Sequence, residues 1–156
     1  MNLDQTDRSI LYLVQKENRT ELSTGDIAEQ VGVSSSTVSN RLRRLRESGI
    51  IVDYKPEIDY EKAGIPHHVL FVCTAPIGDL KRVATDALNT PNVVNVRELL
   101  SGTRNLLVEV VGVQTTDVER VAEDLDALGI DIETSEIVRE EYSRPLGHFG
   151  SQLSGE

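Results

Sequence analysis

The sequence predicts an α+β protein in two parts, an N-terminal winged helix-turn-helix followed by a ferredoxin-like βαββαβ domain. Three amphipathic helical stripes fall within residues 4–48, whereas strand-like and helix-like stretches alternate between residues 69 and 141. Gly64 and Pro66 break the pattern between them. We therefore expect a first domain over residues 1–64, a second over residues 65–142 and a C-terminal tail over residues 143–156.

The N-terminal half carries local start and stop signals for three helices. Asp4 can cap a first helix over residues 4–18, and Ser23 or Thr24 can cap a second. The second helix is expected over residues 24–31, because Gly32 follows where a left-handed residue commonly ends a helix.

A third helix is expected to begin after Ser34 as its cap and to end near residue 48. The short connection from the second helix is typical of a helix-turn-helix, and the small Ala28 suits the crossing of the two helices. Residues 50–52 and 57–59 flank Lys55 and Pro56, and we expect them to form a two-stranded wing or a connecting ribbon.

The C-terminal half alternates strands and helices. The expected elements are a strand at 69–75, a helix at 79–88, strands at 93–100 and 106–113, a helix at 117–128 and a strand at 132–141. This order places both helices on one face of an antiparallel sheet.

Two of the expected strands are apolar on both faces, at residues 69–72 and 106–108. Because the helices cover only one face, the other requires separate cover, and a second copy of the sheet can supply it in a two-fold dimer. We therefore expect a homodimer that a charge at Phe71 or Leu107 would disrupt.

Charge is distributed unevenly along an acidic chain of net charge −10. Residues 1–62 hold 9 Lys and Arg against 11 Asp and Glu, whereas residues 63–156 hold 7 against 15. Four arginines nevertheless fall within six residues, at Arg41, Arg43, Arg44 and Arg46. The expected third helix therefore carries a basic cluster that fits a nucleic-acid partner.

Composition also bounds the environment. The chain has 4 Lys beside 12 Arg and 26 acids, a surface that suits a salt-rich cytoplasm, and an ordinary acidic protein is the alternative interpretation. The single Cys73 excludes an internal disulfide, and no apolar run reaches the ~18 residues of a membrane span. The start of the chain shows no export signal, so we expect a cytoplasmic protein.

The outward face of the third helix has the residue types of a groove-reading surface. Asn can bond adenine, Arg can bond guanine or phosphate, and short hydroxyls allow close approach to the backbone. The expected DNA-binding residues are Ser35, Ser36, Thr37, Ser39, Asn40, Arg43 and Arg44. A solvated polar face on a structural three-helix unit is the alternative interpretation.

Several stretches together resemble one known family. They are Leu3-Asp4-Gln5-Thr6-Asp7, Ile10-Leu11, Asn18-Arg19-Thr20, Asp26-Ile27-Ala28, Val31-Gly32-Val33-Ser34, Val38, Arg41-Leu42, Leu45, Gly49-Ile50-Ile51 and Asp59-Tyr60-Glu61-Lys62-Ala63-Gly64. Residues 1–64 resemble the opening domain of the Lrp/AsnC feast/famine regulators, and residues 67–142 more loosely resemble that family's effector-sensing domain. The acidic, arginine-rich composition is similar to that of halophilic archaeal members.

The resemblance implies transcription regulation by dimers, often assembled into octamers, that bind operator DNA and in many members sense amino acids. The family's ligand site lies near a Gly-x-x-Asp turn between the second and third strands. That turn is Gly102, Thr103, Arg104 and Asn105 here, so an amide replaces the acid and Arg104 adds a positive charge. An amino-acid-like effector and a polar turn without a ligand both remain open.

Other functions are weighed on the same residues. His67 and His68 are adjacent on a strand and point to opposite faces, so no metal site is expected, and neither a catalytic constellation nor a cofactor site is evident. A sirohaem decarboxylase shares the two-domain layout, but the chain lacks Trp and has no His between residues 69 and 147. A ligand-binding assembly module with vestigial DNA binding is the third alternative.

Overall fold

The computed structural model describes residues 1–16 and 21–150 and divides the chain into two compact units. Of the described residues, the first unit comprises 1–16, 21–56 and 142–150, and the second comprises 57–141. The division falls before the expected boundary at residue 64, because residues 59–64 form a turn that is tied to the second unit. Within that unit the Tyr60 ring lies edge-on to His68, with 5.5 Å between the ring centroids.

Three helices form the first unit, and their bounds follow the local signals. They are α1 (Gln5–Lys16), α2 (Thr24–Val31) and α3 (Ser35–Glu47). The expected end of the first helix at residues 17–18 lies outside the described residues. Ser23 caps α2 and exchanges hydrogen bonds with Asp26, and Gly32 ends the helix with φ of 80°. Ser34 caps α3 by accepting the Thr37 backbone N–H.

The core of the first unit lies where the three helices meet. Each helix contributes an apolar stripe at helical spacing, so that the polar faces remain outside. Fully buried members are Ile10 and Leu13 from α1, Ile27 from α2, and Val38 and Leu45 from α3. This packing fixes which face of α3 is available to a partner.

The C-terminal tail contributes to the same core. Residues 147–150 form a 3₁₀ turn, and the Phe149 side chain packs against the core of the three helices. Gly150 is buried so closely on Tyr12 that a Cβ there would lie 2.7 Å from the ring. The tail is therefore part of the first unit's packing.

The expected wing strands at residues 50–52 and 57–59 are not formed, and this expectation was wrong. Val52 is 88% exposed, and Pro56 has no N–H to donate to a ladder, so the segment gains little by pairing. The chain instead follows α3, where the Ile51 N–H donates to the Leu45 carbonyl and the Arg46 guanidinium lies 5.6 Å from the Tyr54 ring centre.

The second unit has the predicted βαββαβ order. Its elements are β1 (His67–Thr74), α4 (Leu80–Leu88), β2 (Val93–Glu98), β3 (Leu106–Gly112), α5 (Thr115–Ala127) and β4 (Asp131–Ile137). The strands lie in the order β2-β3-β1-β4, and every neighbouring pair is antiparallel. The ferredoxin-like prediction is thereby confirmed. No helix of the described residues is long and apolar enough to cross a membrane.

One sheet face is covered by α4 and α5. Val69, Phe71 and Cys73 of β1 lie in this core, and Phe71 is paired in register with Val108 of β3. The expectation that Phe71 shares the uncovered face with Leu107 was wrong, because alternation along β1 turns Phe71 toward the helices.

The opposite sheet face is also apolar at its centre. Val72 of β1 pairs with Leu107 of β3, and Leu70 lies on the same face. These side chains are half-buried and lie outside the core beneath the helices. On this face the His68 Nε2 lies 2.9 Å from Glu109 Oε1.

Candidate nucleic-acid interface

The polar face of α3 is directed away from the core that anchors the helix. Val38, Leu42 and Leu45 are buried on one side. The residues of the predicted DNA-binding set that are exposed are Ser35, Ser36, Ser39, Asn40, Arg43 and Arg44. Because these side chains lie on one helix whose other side is packed, they form a continuous polar surface.

The start of α3 is organised by its cap. Ser34 Oγ accepts the Thr37 N–H at 3.2 Å and lies 2.8 Å from Thr37 Oγ1 and 3.1 Å from Ser36 Oγ. Thr37, the remaining member of the predicted set, is half-buried with its hydroxyl engaged in this cap network. The cap therefore holds a cluster of hydroxyls and the free amides of the first turn at one end of the polar surface.

Asn40 and Arg43 form a pair at the middle of the surface. The Arg43 Nη2 donates to Asn40 Oδ1 over 3.0 Å. This bond leaves the Asn40 amide N–H₂ group and the rest of the guanidinium as donors, which match phosphate oxygens and the acceptor edge of guanine.

The four arginines of the basic cluster have different environments. Arg41 is turned to α1, where its Nη1 donates to Asp4 at 2.5 Å and to Asp7 at 3.2 Å. Arg46 lies over Tyr54, whereas Arg43 and Arg44 are exposed. A count along the sequence treats the four as one cluster, but helical projection already turns Arg41 away from the outward face.

An open groove of about 410 Å³ runs beside α3. Its lining residues are Thr24, Ser39, Leu42, Arg43, Arg46 and Glu47. The predicted set contains only Ser39 and Arg43 of these. Thr24 was considered only as a helix cap, and its position at the start of α2 places it beside α3, which its spacing alone does not indicate.

In the predicted effector turn, one residue, Asn105, is buried and bonded to the backbone of the protein. Asn105 is 0% exposed, with Oδ1 accepting the Ala75 N–H and Nδ2 donating to the Ala75 carbonyl, both at 2.9 Å. Gly102, Thr103 and Arg104 are exposed. Arg104 has φ of 49°, and its N–H donates to Thr74 Oγ1 at 2.8 Å.

Comparisons with known proteins find DNA-binding regulators that are similar to this chain. A family model described as winged helix-turn-helix DNA-binding matches residues 3–52. The HTH-type transcriptional regulator FL11 of Pyrococcus horikoshii is 28% identical over 127 residues, which cover 81% of this chain and 80% of the relative. The HTH-type transcriptional regulator LrpC of Bacillus subtilis is 31% identical over 93 residues, covering 60% of this chain and 63% of the relative.

Solved structures share the fold over nearly the whole chain. An AsnC family transcriptional regulator from Agrobacterium tumefaciens has a TM-score of 0.69 and 24% identity, covering 92% of this chain and 94% of its own. The transcriptional regulator NMB0573 of Neisseria meningitidis, solved as a complex with L-Met, has a TM-score of 0.72 and 20% identity over the same shares of both chains.

Proposed function

We propose that the chain, which is similar to DNA-binding transcriptional regulators of the Lrp/AsnC type, binds operators as a dimer or higher oligomer, with α3 in the major groove. The observation that carries the proposal is the continuous polar face of α3 opposite its buried stripe. The relatives are named transcriptional regulators, which supports this function over the sirohaem decarboxylase alternative. We place its action in the cytoplasm.

The proposed DNA contacts divide along α3. The hydroxyls of Ser35, Ser36 and Ser39 approach phosphates near the helix start, and the Thr37 hydroxyl supports them through the Ser34 cap. Asn40 and Arg43 reach base edges as a linked pair, and Arg44 contacts phosphate on the flank.

We propose that the dimer forms through the uncovered sheet face. Leu70, Val72 and Leu107 lie there at the centre of the sheet and outside the core beneath the helices. A two-fold mate would bury this apolar surface and would present two copies of α3 to paired half-sites.

We propose that an effector contacts three of the four residues of the predicted turn, which is formed by Gly102, Thr103, Arg104 and Asn105. Because both polar ends of the Asn105 amide are bonded to Ala75, we assign Asn105 to the support of the turn and assign contact with an effector to the other three. The L-Met complex of the Neisseria meningitidis regulator supports an amino-acid-like effector. Arg104 would meet the carboxylate of such a ligand.

We also propose, from the acidic composition, that the protein is adapted to a high salt concentration. Net charge of −10 with 12 Arg and 4 Lys suits a salt-rich cytoplasm, as in halophilic organisms. About six phosphate contacts would lose roughly eight decades of affinity between 0.1 and 3 M salt. Base contacts and paired half-sites would then supply most of the binding. A melting temperature that falls as KCl rises from about 0.1 to 3 M would contradict salt adaptation.

DNA binding is tested with a duplex selected from random-sequence DNA by the full chain. Arg43→Ala and Asn40→Ala should each weaken binding to it by about 1–3 kcal/mol, with the melting temperature unchanged. Arg82→Ala, which removes an exposed arginine from α4 in the second unit, is the matched control and should leave the affinity unchanged. Wild-type affinity in both α3 variants would contradict the proposed docking. Failure to select any duplex would favour the assembly module.

A further inference from the structure

We infer that Arg41 is a positioning residue, which fixes the rotation of α3 by clamping it to the two carboxylates at the start of α1. The inference rests on the proposed DNA binding by α3. It gives the one arginine of the basic cluster that is turned to α1 a role in the same function that does not involve contact with DNA.

The clamp is built on the cap of α1. The Asp7 N–H donates to Asp4 Oδ1 at 2.9 Å, and the Asp4 N–H donates back to Asp7 Oδ2 at 3.1 Å. This exchange holds two carboxylates side by side. The Arg41 Nη1 then bridges them, donating to Asp4 Oδ2 at 2.5 Å and to Asp7 Oδ1 at 3.2 Å.

Burial makes the Asp7 contact the stronger of the two. Asp7 is 1% exposed and the Arg41 side chain 25%, whereas the Asp4 side chain is 51% exposed and its pair with Arg41 is screened by water. A buried carboxylate that loses its cation keeps the cost of desolvation without the compensating attraction. Arg41 therefore cannot leave Asp7 for a phosphate at low cost.

The pKa shifts of Arg41 and Asp4 agree with this geometry. Hydrogen bonds to Asp4 and Asp7 raise the pKa of Arg41 above its ordinary value. The pKa of Asp4 is lowered, first by the backbone N–H of Asp7 and further by the Arg41 guanidinium. Both shifts favour the charged forms that the clamp requires.

The cap of α2 provides an internal comparison. There Ser23 occupies the N-cap position and Asp26 returns the bond to the Ser23 N–H, so one carboxylate completes the box. Ser and Asp cap helices about equally well, and capping alone does not require the second negative charge at position 4. A cation from α3 accounts for that charge.

The clamp acts on the residues that face DNA because Arg41 follows Asn40 directly on α3. Successive residues are about 100° apart around a helix, so holding Arg41 against α1 also sets the direction of Asn40 and Arg44, which lie about 40° apart on the outward face. Loss of the clamp should therefore lower affinity through orientation and leave the number of phosphate contacts unchanged.

The experiment compares Arg41→Gln with Arg44→Gln in the full chain, using a duplex selected from random-sequence DNA by the wild type. Arg41→Gln should lower affinity about tenfold at every salt concentration, keep the wild-type slope of log affinity against log salt, and lower the melting temperature. Arg44→Gln should reduce the slope by about 0.9 and leave the melting temperature unchanged. A slope reduced by about 0.9 in Arg41→Gln, or no change in affinity and melting, would overturn the inference.

Further variants keep the clamp testable if Arg41→Gln does not fold. Arg41→Lys retains the charge without the planar fork, and should fold with a melting temperature below wild type and a wild-type salt slope. Asp4→Ser keeps a good N-cap and removes one carboxylate, so a lower melting temperature there reports the ion pair and not the cap. Wild-type melting in both variants would overturn the clamp.

A thermal cycle of Asp7→Asn and Arg41→Lys separates the clamp from DNA binding. The two changes should be non-additive, because each removes part of the same contact. Additive changes would overturn the clamp. If no duplex is selected by the wild type, the DNA-binding proposal fails, and the thermal cycle still decides whether Arg41 and Asp7 are coupled.

Discussion

The two units place their apolar side chains differently. In the first unit each helix has one apolar stripe, and all three stripes meet in a single core, so the outward face of α3 is polar. In the second unit the central strands are apolar on both faces, and the helices cover only one of them. The first arrangement leaves a surface suited to a charged duplex, and the second leaves a surface suited to another protein surface.

The largest expected effects come from placing a charge on either face of the sheet, and they differ between the two faces. Leu107→Glu should convert a dimer into a folded monomer, because it places a charge on the uncovered face. Phe71→Glu should unfold the second unit, because it buries a charge beneath the helices. Light scattering measures the mass, and circular dichroism measures the fold.

Ile77→Glu is the control for the dimer, since Ile77 is 68% exposed just before α4, the helix that covers the opposite sheet face. It should change neither mass nor melting temperature. A Leu107→Glu variant that keeps the wild-type mass would show that the copies do not associate through this face, or that the wild type is already a monomer.

Sequence patterns predicted the elements that depend on local signals. Ser23 and Gly32 mark both ends of α2, and the structure places the helix between them. The direction of Phe71 could not be predicted in this way, because four consecutive apolar residues at 69–72 show no alternation. Only the pairing of β1 with β3 and the helices above decides which of them face inward.

The candidate site was predictable as a helix face and less so residue by residue. The outward positions of Asn40 and Arg43 follow from helical projection alone. The hydrogen bonds of Asn105 to Ala75 join positions 30 residues apart and depend on strand pairing, which composition and spacing do not encode. The docking of Phe149 on the first unit is a tertiary contact of the same kind.

The next largest expected effect is the loss of stability on replacing Asn105, which tests whether this residue supports the effector turn. Asn105→Ala should reduce the free energy of unfolding by about 2–4 kcal/mol, because the buried N–H and carbonyl of Ala75 both lose their partner. Urea unfolding measures the change. Asn95→Ala, which removes an exposed amide from β2, should stay within about 0.5 kcal/mol of wild type. Equal stability of the two variants would reverse our assignment and favour Asn105 as a ligand residue.

A smaller effect is expected in the first unit, where the tail extends the helical core. Phe149→Ala should lower the free energy of unfolding by about 1–3 kcal/mol, because it empties space against the three helices. Gly150→Ala should also destabilise, since the added methyl group meets the Tyr12 ring. Leu146→Ala is the control, because Leu146 is 54% exposed. Identical unfolding curves for all three variants would indicate that the tail does not pack in solution.

The smallest effect at neutral pH concerns Cys73, which lies with Phe71 on the helix-covered face. Burial, together with the smaller effect of the nearby Glu133 charge, raises the pKa of its thiol to about 12. The folded state therefore disfavours the thiolate. Its contribution to stability is complete below the unfolded pKa of 9.0 and is lost as the pH rises from 9 toward 12.

The thiolate is the reactive form, so iodoacetamide at pH 8.5 should label native Cys73 at least about 100-fold more slowly than the urea-unfolded chain. Labelling also reports which face a mutation opens. Leu107→Glu should leave it slow, because separating two sheets does not uncover the helix side. Phe71→Glu should make it as fast as in urea. Fast labelling of the Leu107→Glu variant would mean that the two faces are not independent, and that the helix layer over Cys73 is itself held in place by the dimer.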